Sequence, residues 1–266
     1  MLSDPDFLRY SRQIMLPICG ESGIQTLAEA RVAVVGLGGL GNIATPYLAS
    51  AGVGYLRLCD GDDISLSNLP RQWLYQQNEV RKKKVSAMAA RLNTMHAAME
   101  VKTVASLIDA DNVASVLDNV DLVLDCTDNM TSRQLLNAHA MATGTPLVTA
   151  AAIGLQAQAA AFHPDHCGPQ VQAGCYRCLY PMDELRAGNC QNEGVLGPIV
   201  GMAACYQAAL ALRILLGDSQ VQWSRLWRLD SAHFDQQMLH IPHDPACPVC
   251  SKRSQASQFQ HSASTG

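Results

Sequence analysis

Basic charge is scarce in this sequence. Its 19 lysines and arginines are outnumbered by 23 aspartates and glutamates, for a formal net charge of −4, and the one basic cluster is Arg81-Lys82-Lys83-Lys84. Non-specific nucleic-acid binding needs clustered Lys and Arg in excess, so that role is excluded. A secretory signal is also missing, because the first ten residues lack the basic-then-apolar pattern. The ten cysteines are therefore read for a reducing, cytoplasmic setting, where they serve metal or thiol chemistry. Nor is there an uninterrupted apolar run of membrane length. Residues 198–216 come nearest, but Gln207 and Arg213 break them, and a buried globular helix is the expected structure.

What is present points to one main domain with appended loops. A chain of 266 residues with 48% hydrophobic content buries one large core but not two full domains. Residues 30–35 form a short β-branched run that ends at Gly36, which predicts a buried strand feeding a glycine turn. A helix over 42–51 and a strand over 55–59, stopping at Asp60, Asp62 and Asp63, complete a βαβ unit. A polar loop with a helical turn over 65–77 and a helix over 84–95 follow. Further on come a strand over 121–124, a helix over 132–143 and a strand over 146–150. Alternation of this kind predicts a mostly parallel, Rossmann-like α/β sheet with helices on both faces.

Beyond His163 the chain turns to Gly, Pro, Cys and polar residues as far as Gly194. Loops that long within a domain are usually functional or held by a metal. An antiparallel hairpin is expected over 226–229 and 237–240, and residues 251–266, polar and rich in Ser and Gln, are expected to be disordered. The expected division is a single domain over 1–250, with a nucleotide-binding core over 30–160 and a loop and zinc region over 163–250. No internal repeat is present.

Three motifs carry chemistry. Gly36-Leu37-Gly38-Gly39-Leu40-Gly41 lies between a predicted strand and helix, so its backbone can approach a phosphate at a helix N-terminus. Asp60, at the end of the next strand, stands where an acidic residue takes ribose hydroxyls. The bland alternative is that the glycines serve only a tight turn and close packing. Asp125-Cys126-Thr127-Asp128-Asn129 ends another strand, where a carboxylate could hold Mg²⁺ beside phosphates; for Asp125 and Asn129, capping of the next helix is equally expected. Cys175-Tyr176-Arg177-Cys178 and Cys247-Pro248-Val249-Cys250 are two CxxC knuckles, which together predict a structural four-cysteine zinc site tying the C-terminal segment to the middle loop. A redox pair is the rival reading for either knuckle alone.

In combination and in order, Arg9-Tyr10-Ser11-Arg12-Gln13, the glycine loop, Leu66-Ser67-Asn68-Leu69-Pro70-Arg71-Gln72, Asp125 to Asn129 and the two knuckles resemble the ThiF/MoeB/HesA family, bacterial relatives of ubiquitin-activating enzymes. Cys-Tyr-Arg-Cys-Leu and Asn189-Cys190, followed by Gly194-Val195-Leu196-Gly197-Pro198, place the resemblance nearest to ThiF. It implies a homodimeric enzyme that joins the terminal Gly carboxylate of a ubiquitin-fold carrier to the α-phosphate of ATP. It also implies roles. Asp60, with Asp62 beside it, belongs at the ribose; Asn68, Arg71 and Lys84 at the phosphates; Asp128 on Mg²⁺; and Arg12 at the ATP site of the opposite protomer. Cys190 matches the cysteine that ThiF links to its carrier, with an incidental loop cysteine as the alternative. Two departures stand out. Three lysines replace the family's Pro-Lys pair, so Lys83 could substitute for Lys84, and Pro70 removes a backbone donor beside Arg71.

A ThiS-like carrier of thiamine thiazole synthesis is the leading expectation, and a MoaD-like carrier of molybdopterin synthesis is the alternative within the class. Sulfur is expected from a separate desulfurase or rhodanese-type protein. An NAD-dependent oxidoreductase explains the glycines and Asp60 but not the arginines or the knuckles, and a non-catalytic scaffold explains none of the intact polar motifs.

Overall fold

The run Arg31-Val32-Ala33-Val34-Val35 forms strand β1 (Arg31–Val35), and its side chains divide by the period of two between the cores on either face of a sheet. The structure, a computed structural model, describes residues 2–95, 99–181 and 194–251. Helices α1 (Asp4–Ile14) and α2 (Gly20–Glu29) precede β1. After it come α3 (Gly39–Ala51), β2 (Tyr55–Cys59), α4 (Lys84–Met95), β3 (Glu100–Val104), α5 (Val113–Val116), β4 (Leu122–Asp125), α6 (Met130–Thr143), β5 (Leu147–Ile153) and β6 (Gln156–Phe162). The one-turn helix α7 (Tyr176–Leu179), α8 (Gly197–Leu215), β7 (Arg225–Asp230) and β8 (Asp235–His240) complete the chain.

All eight strands join one sheet in the order β3-β2-β1-β4-β5-β6-β7-β8. From β3 to β5 the pairing is parallel, and from β5 to β8 it is antiparallel. Strand order therefore reverses between β1 and β4, and ligands of open α/β sheets bind outside the carboxyl ends of the strands at such a point. One face of the sheet packs on α3, α4 and α8, and the other on α5, α6 and the turn of α7.

The expected Rossmann-like sheet and the hairpin of β7 and β8 are found. Strands β3 and β6 and the helices α1 and α2 lie where the sequence reading placed no element. Strand β3 is largely exposed at the sheet edge and lacks a clean apolar alternation. Strand β6, Gln-Ala-Gln-Ala-Ala-Ala-Phe, is alanine-rich, which is poor β-forming composition. Burial supplies what propensity does not: Ala157, Ala159, Ala160 and Ala161 are each 2% exposed or less, and the small side chains of Ala157, Ala159 and Ala161, on the α8 face, let that helix approach the sheet.

Helix α8 is long and apolar enough to cross a membrane by length and composition, yet it packs one side against α3 and the sheet. Gln207 explains the interruption noted above. Wholly buried, it donates to the carbonyls of Asp125 (2.7 Å) and Val148 (3.0 Å), tying α8 to the ends of β4 and β5.

Candidate active site

The glycine loop sits at the reversal point between β1 and β4. Gly36 has φ +92°, and a Cβ there would meet the Cys126 carbonyl oxygen at 2.6 Å, while one on Gly41 would meet the Gly36 oxygen at 2.0 Å. Those two glycines are required by packing. Gly38 is not, since the nearest atom to a Cβ there is 3.7 Å away; its missing side chain leaves room on the cleft side of the loop. Gly38 also caps α3 without a side-chain hydrogen bond, and the first turn of α3 has no acidic residue. Its first N–H groups are thus free to bind an anion.

Side chains clamp this loop from below. Asp60 accepts from the Leu37 N–H at 2.7 Å and from the Asp62 N–H at 2.8 Å, while the Tyr75 hydroxyl donates to the Leu37 carbonyl at 3.0 Å. Burial pushes the Asp60 carboxyl above its ordinary value, against the opposing pull of Lys84 and the two backbone donors. The same loss of solvent raises the Tyr75 hydroxyl, so it stays a donor.

An open cleft of about 1030 Å³, counting solvent at its mouth, lies over the loop. Gly36, Gly38, Gly39, Asp60, Asp62, Asn68, Arg71, Lys84 and Asp128 all line it. Lys84, buried at the start of α4, pairs with Asp62 at 2.7 Å. Lys83 instead turns to the Gly61 carbonyl and to Asp63 and does not line the cleft. Around Arg71 the chain turns without the missing Pro70 donor: Ser65 and Asn68 close a capping box, and Arg71 donates to the Ser67 carbonyl at 3.1 Å.

Asp125 and Asn129 hold structural posts. Asp125 is wholly buried and accepts from Thr127 (N–H and hydroxyl) and Thr149; Asn129 caps α6 by accepting from the Ser132 N–H at 2.9 Å. Asp128 is different. It is exposed in the cleft and makes no hydrogen bond or ion pair among the described residues. A single uncommitted carboxylate suits Mg²⁺, which keeps several waters and takes its other ligands from phosphates. Arg12, exposed on α1, lines neither this cleft nor the next. Cys190 lies outside the described residues, as does the expected disordered segment from 252 onward. Cys59 and Cys126 are buried packing residues, their thiols raised by burial, Cys59 to about 12.

A second cleft opens beyond β5 and shares Asp128, Asn129, Arg133 and Ala152 with the first. At the junction Arg133 donates to the carbonyls of Thr127 and Ala150. Its charge is retained because the attraction of Asp125, with the hydrogen bond to Tyr176, outweighs burial. The sequence reading did not single Arg133 out. Its signal was position: 133, 136, 137 and 140 form one helical stripe, all buried, which puts a cation on the core face.

The four knuckle cysteines converge. Their sulfurs lie within 4.8 Å of one another, with Cys175 and Cys247 3.8 Å apart and Cys178 and Cys250 3.4 Å apart. A tetrahedron of Zn–S bonds of about 2.3 Å has edges of about 3.8 Å. Asn137 and the Asp244 N–H donate to Cys175 and Cys178 at 3.6 and 3.5 Å, the kind of second layer that supports metal-bound thiolates.

Sheet order, glycine loop, charged cleft and cysteine cluster together define a nucleotide-binding α/β enzyme with four thiols placed where they could hold a cation. A sequence model of the ThiF family matches residues 10–249, and the chain belongs to that family. It is 38% identical over 249 residues to the sulfur carrier protein ThiS adenylyltransferase of Escherichia coli (strain K12), covering 94% of this chain and 97% of that one. To the molybdopterin-synthase adenylyltransferase of the same organism it is also 38% identical over 249 residues, covering 94% and 98%. The adenylyltransferase and sulfurtransferase MOCS3 of Anopheles gambiae is 35% identical over 254 residues, which are 94% of this chain but 56% of that protein. Among solved structures, E. coli MccB with ATP shares the fold, with a TM-score of 0.79 at 23% identity over 91% of this chain and 74% of that one. The chain is accordingly an enzyme of the nucleotidyltransferase class.

Proposed function

We propose that this chain uses ATP to adenylate the C-terminal Gly-Gly carboxylate of a ubiquitin-fold, ThiS-like sulfur carrier, releasing pyrophosphate. The observation that carries the reading is the continuity of two clefts through Asp128, Asn129 and Arg133. One cleft has the glycine loop and cations that a nucleotide needs, and the other offers a separate approach for an acceptor. A carboxylate oxygen attacks the α-phosphorus, the bond to the bridging oxygen breaks, and pyrophosphate leaves with that electron pair. Both reactants are anionic, so acceleration comes from positioning and from neutralising charge.

Asp60 keeps lone pairs for the ribose hydroxyls while holding the loop, with Asp62 beside it. Asn68, Arg71 and Lys84 face the phosphates, and ATP competes with Asp62 for the Lys84 ammonium. Asp128 is the ligand for Mg²⁺, which when bound shields phosphate charge. Arg12 completes the site from the second protomer of a homodimer. That assignment is supported by the exposure of Arg12 and by the exposed apolar residues Tyr47, Trp73 and Met202. The cluster of Cys175, Cys178, Cys247 and Cys250 holds structural Zn²⁺, and Cys190 is the thiol that would take over the activated carrier.

Equal identity to the molybdopterin-synthase adenylyltransferase favours one second reading, a MoaD-like carrier. ATP–pyrophosphate exchange with ThiS-like and MoaD-like carriers, each beside a version lacking its Gly-Gly tail, tests both. The expected result is exchange that requires the intact ThiS-like carrier. Exchange with the MoaD-like carrier alone selects the second reading, and exchange with neither overturns the function.

A further inference from the structure

The turn that carries two of the four thiolates also carries two aromatic side chains pointing elsewhere. Cys175 and Cys178 enter the cation cluster, while Tyr176 and Tyr180 line the second cleft. The two rings lie 5.1 Å apart, and Tyr176 packs edge-on against Phe162 at 6.1 Å. At the cleft junction the Tyr176 hydroxyl accepts a long contact of 3.5 Å from Arg133. The Tyr180 hydroxyl accepts from Gln158 at 2.7 Å and its carbonyl from Gln134 at 2.8 Å.

The thiolates are among several contacts that hold this turn in place. Helix α7 has four residues, and an isolated helix of one turn has no stability of its own. Its anchors include the thiolates, the contacts of Tyr176 and Tyr180 just given, the Gly174 N–H bond to the Ile241 carbonyl at 2.8 Å, and Asn137, which accepts from the Tyr176 N–H at 3.1 Å while donating to Cys175. Its partners across the cluster, Cys247 and Cys250, are 72 residues away in sequence, so a cation bound there would reinforce the contact that the Ala173–Pro242 bridge and the Gly174–Ile241 hydrogen bond make between the two segments.

We propose that the four-thiolate cluster is a positioning element for the acceptor side of the reaction: through Tyr176 and Tyr180 it sets the wall of the second cleft and the Arg133 guanidinium at its junction with the nucleotide cleft. The inference rests on the proposed function for the identity of the acceptor, but not for the coupling itself. A cation that served only to tie the C-terminal segment down would leave β5, β6 and the 127–133 segment indifferent to its removal.

Hydrogen exchange on the full-length, zinc-loaded protein, before and after chelation, tests the coupling without any carrier. Exchange is expected to speed up over residues 150–158 and 127–133 as well as over 174–181, with the glycine loop and α3 unchanged. Acceleration confined to 174–181 and 241–251 overturns the proposal. Tyr180→Phe, which leaves all four thiolates in place, keeps the test open where chelation unfolds the chain. With metal content unchanged, it is expected to raise KM for the carrier about 3- to 10-fold through loss of the Gln158 hydrogen bond, with KM for ATP unchanged. An equal rise in both constants, or none in the carrier's, overturns the positioning role. Absence of carrier-dependent turnover in the unmodified enzyme counts against the function alone, since the exchange result stands apart from it.

Discussion

The parallel half of the sheet, β1 to β5, and the antiparallel half, β5 to β8, build their sites by different means. In the first, backbone does most of the work: a glycine turn, the open N-terminus of α3 and strand ends that stop at acidic residues follow one another along the chain, each read from a short motif. In the second, side chains distant in sequence converge, with Cys175 meeting Cys247 and Tyr180 meeting Gln158. The lesson is that the half built on local geometry presents the glycine loop and its cleft, and the half built on convergence gathers four thiols that could hold a cation.

That division can be broken or sharpened by substitution. The largest effect is expected at the junction. Asp128→Ala should lower adenylation on the order of 10³-fold by removing the Mg²⁺ ligand while the folded assembly and its zinc remain, as read by exchange assays and metal analysis. In the antiparallel half, Cys250→Ser should abolish stoichiometric metal binding and cost about 4 kcal/mol, seen in calorimetry as a Tm lower by roughly 8–16 °C. ATP affinity that survives in the folded fraction would sharpen the comparison, and its loss in step with the metal would break it.

In the parallel half, Lys84→Met should weaken ATP about 10- to 100-fold, the worth of a charge-assisted contact, whereas Lys83→Met should change it less than twofold, because Lys83 is exposed and bonded to the Gly61 carbonyl and Asp63. Titration calorimetry with a non-hydrolysable nucleotide separates the two. Between these two, Tyr75→Phe should raise KM for ATP about 3- to 10-fold, since the Leu37 carbonyl it supports loses its donor.

The same contrast explains what could be read in advance. The glycine loop, Asp60, Asp128 and the knuckles were legible because each is a short motif whose chemistry needs those residue types at that spacing. Strands β1, β2, β4 and β5 were foreshadowed because short apolar runs alternate with helices, while the exposed β3 was not. Strand β6 escaped because alanine signals helix or nothing when read alone, and only α8 lying over it makes alanine the fitting residue. Arg133 and Tyr75 escaped for a related reason: each acts on a backbone carbonyl that sequence cannot display. The choice between Lys83 and Lys84 likewise waits on which of them meets Asp62.

The most direct measurement is mass spectrometry of an intact ThiS-like carrier after incubation with the enzyme, Mg²⁺ and ATP, beside the same mixture with Asp128→Ala. The account predicts a carrier heavier by one adenylyl group on its terminal glycine, with one pyrophosphate released per adduct, and no adduct with the variant or with a carrier lacking Gly-Gly. An unmodified carrier in the presence of folded, zinc-loaded enzyme and bound ATP would contradict it.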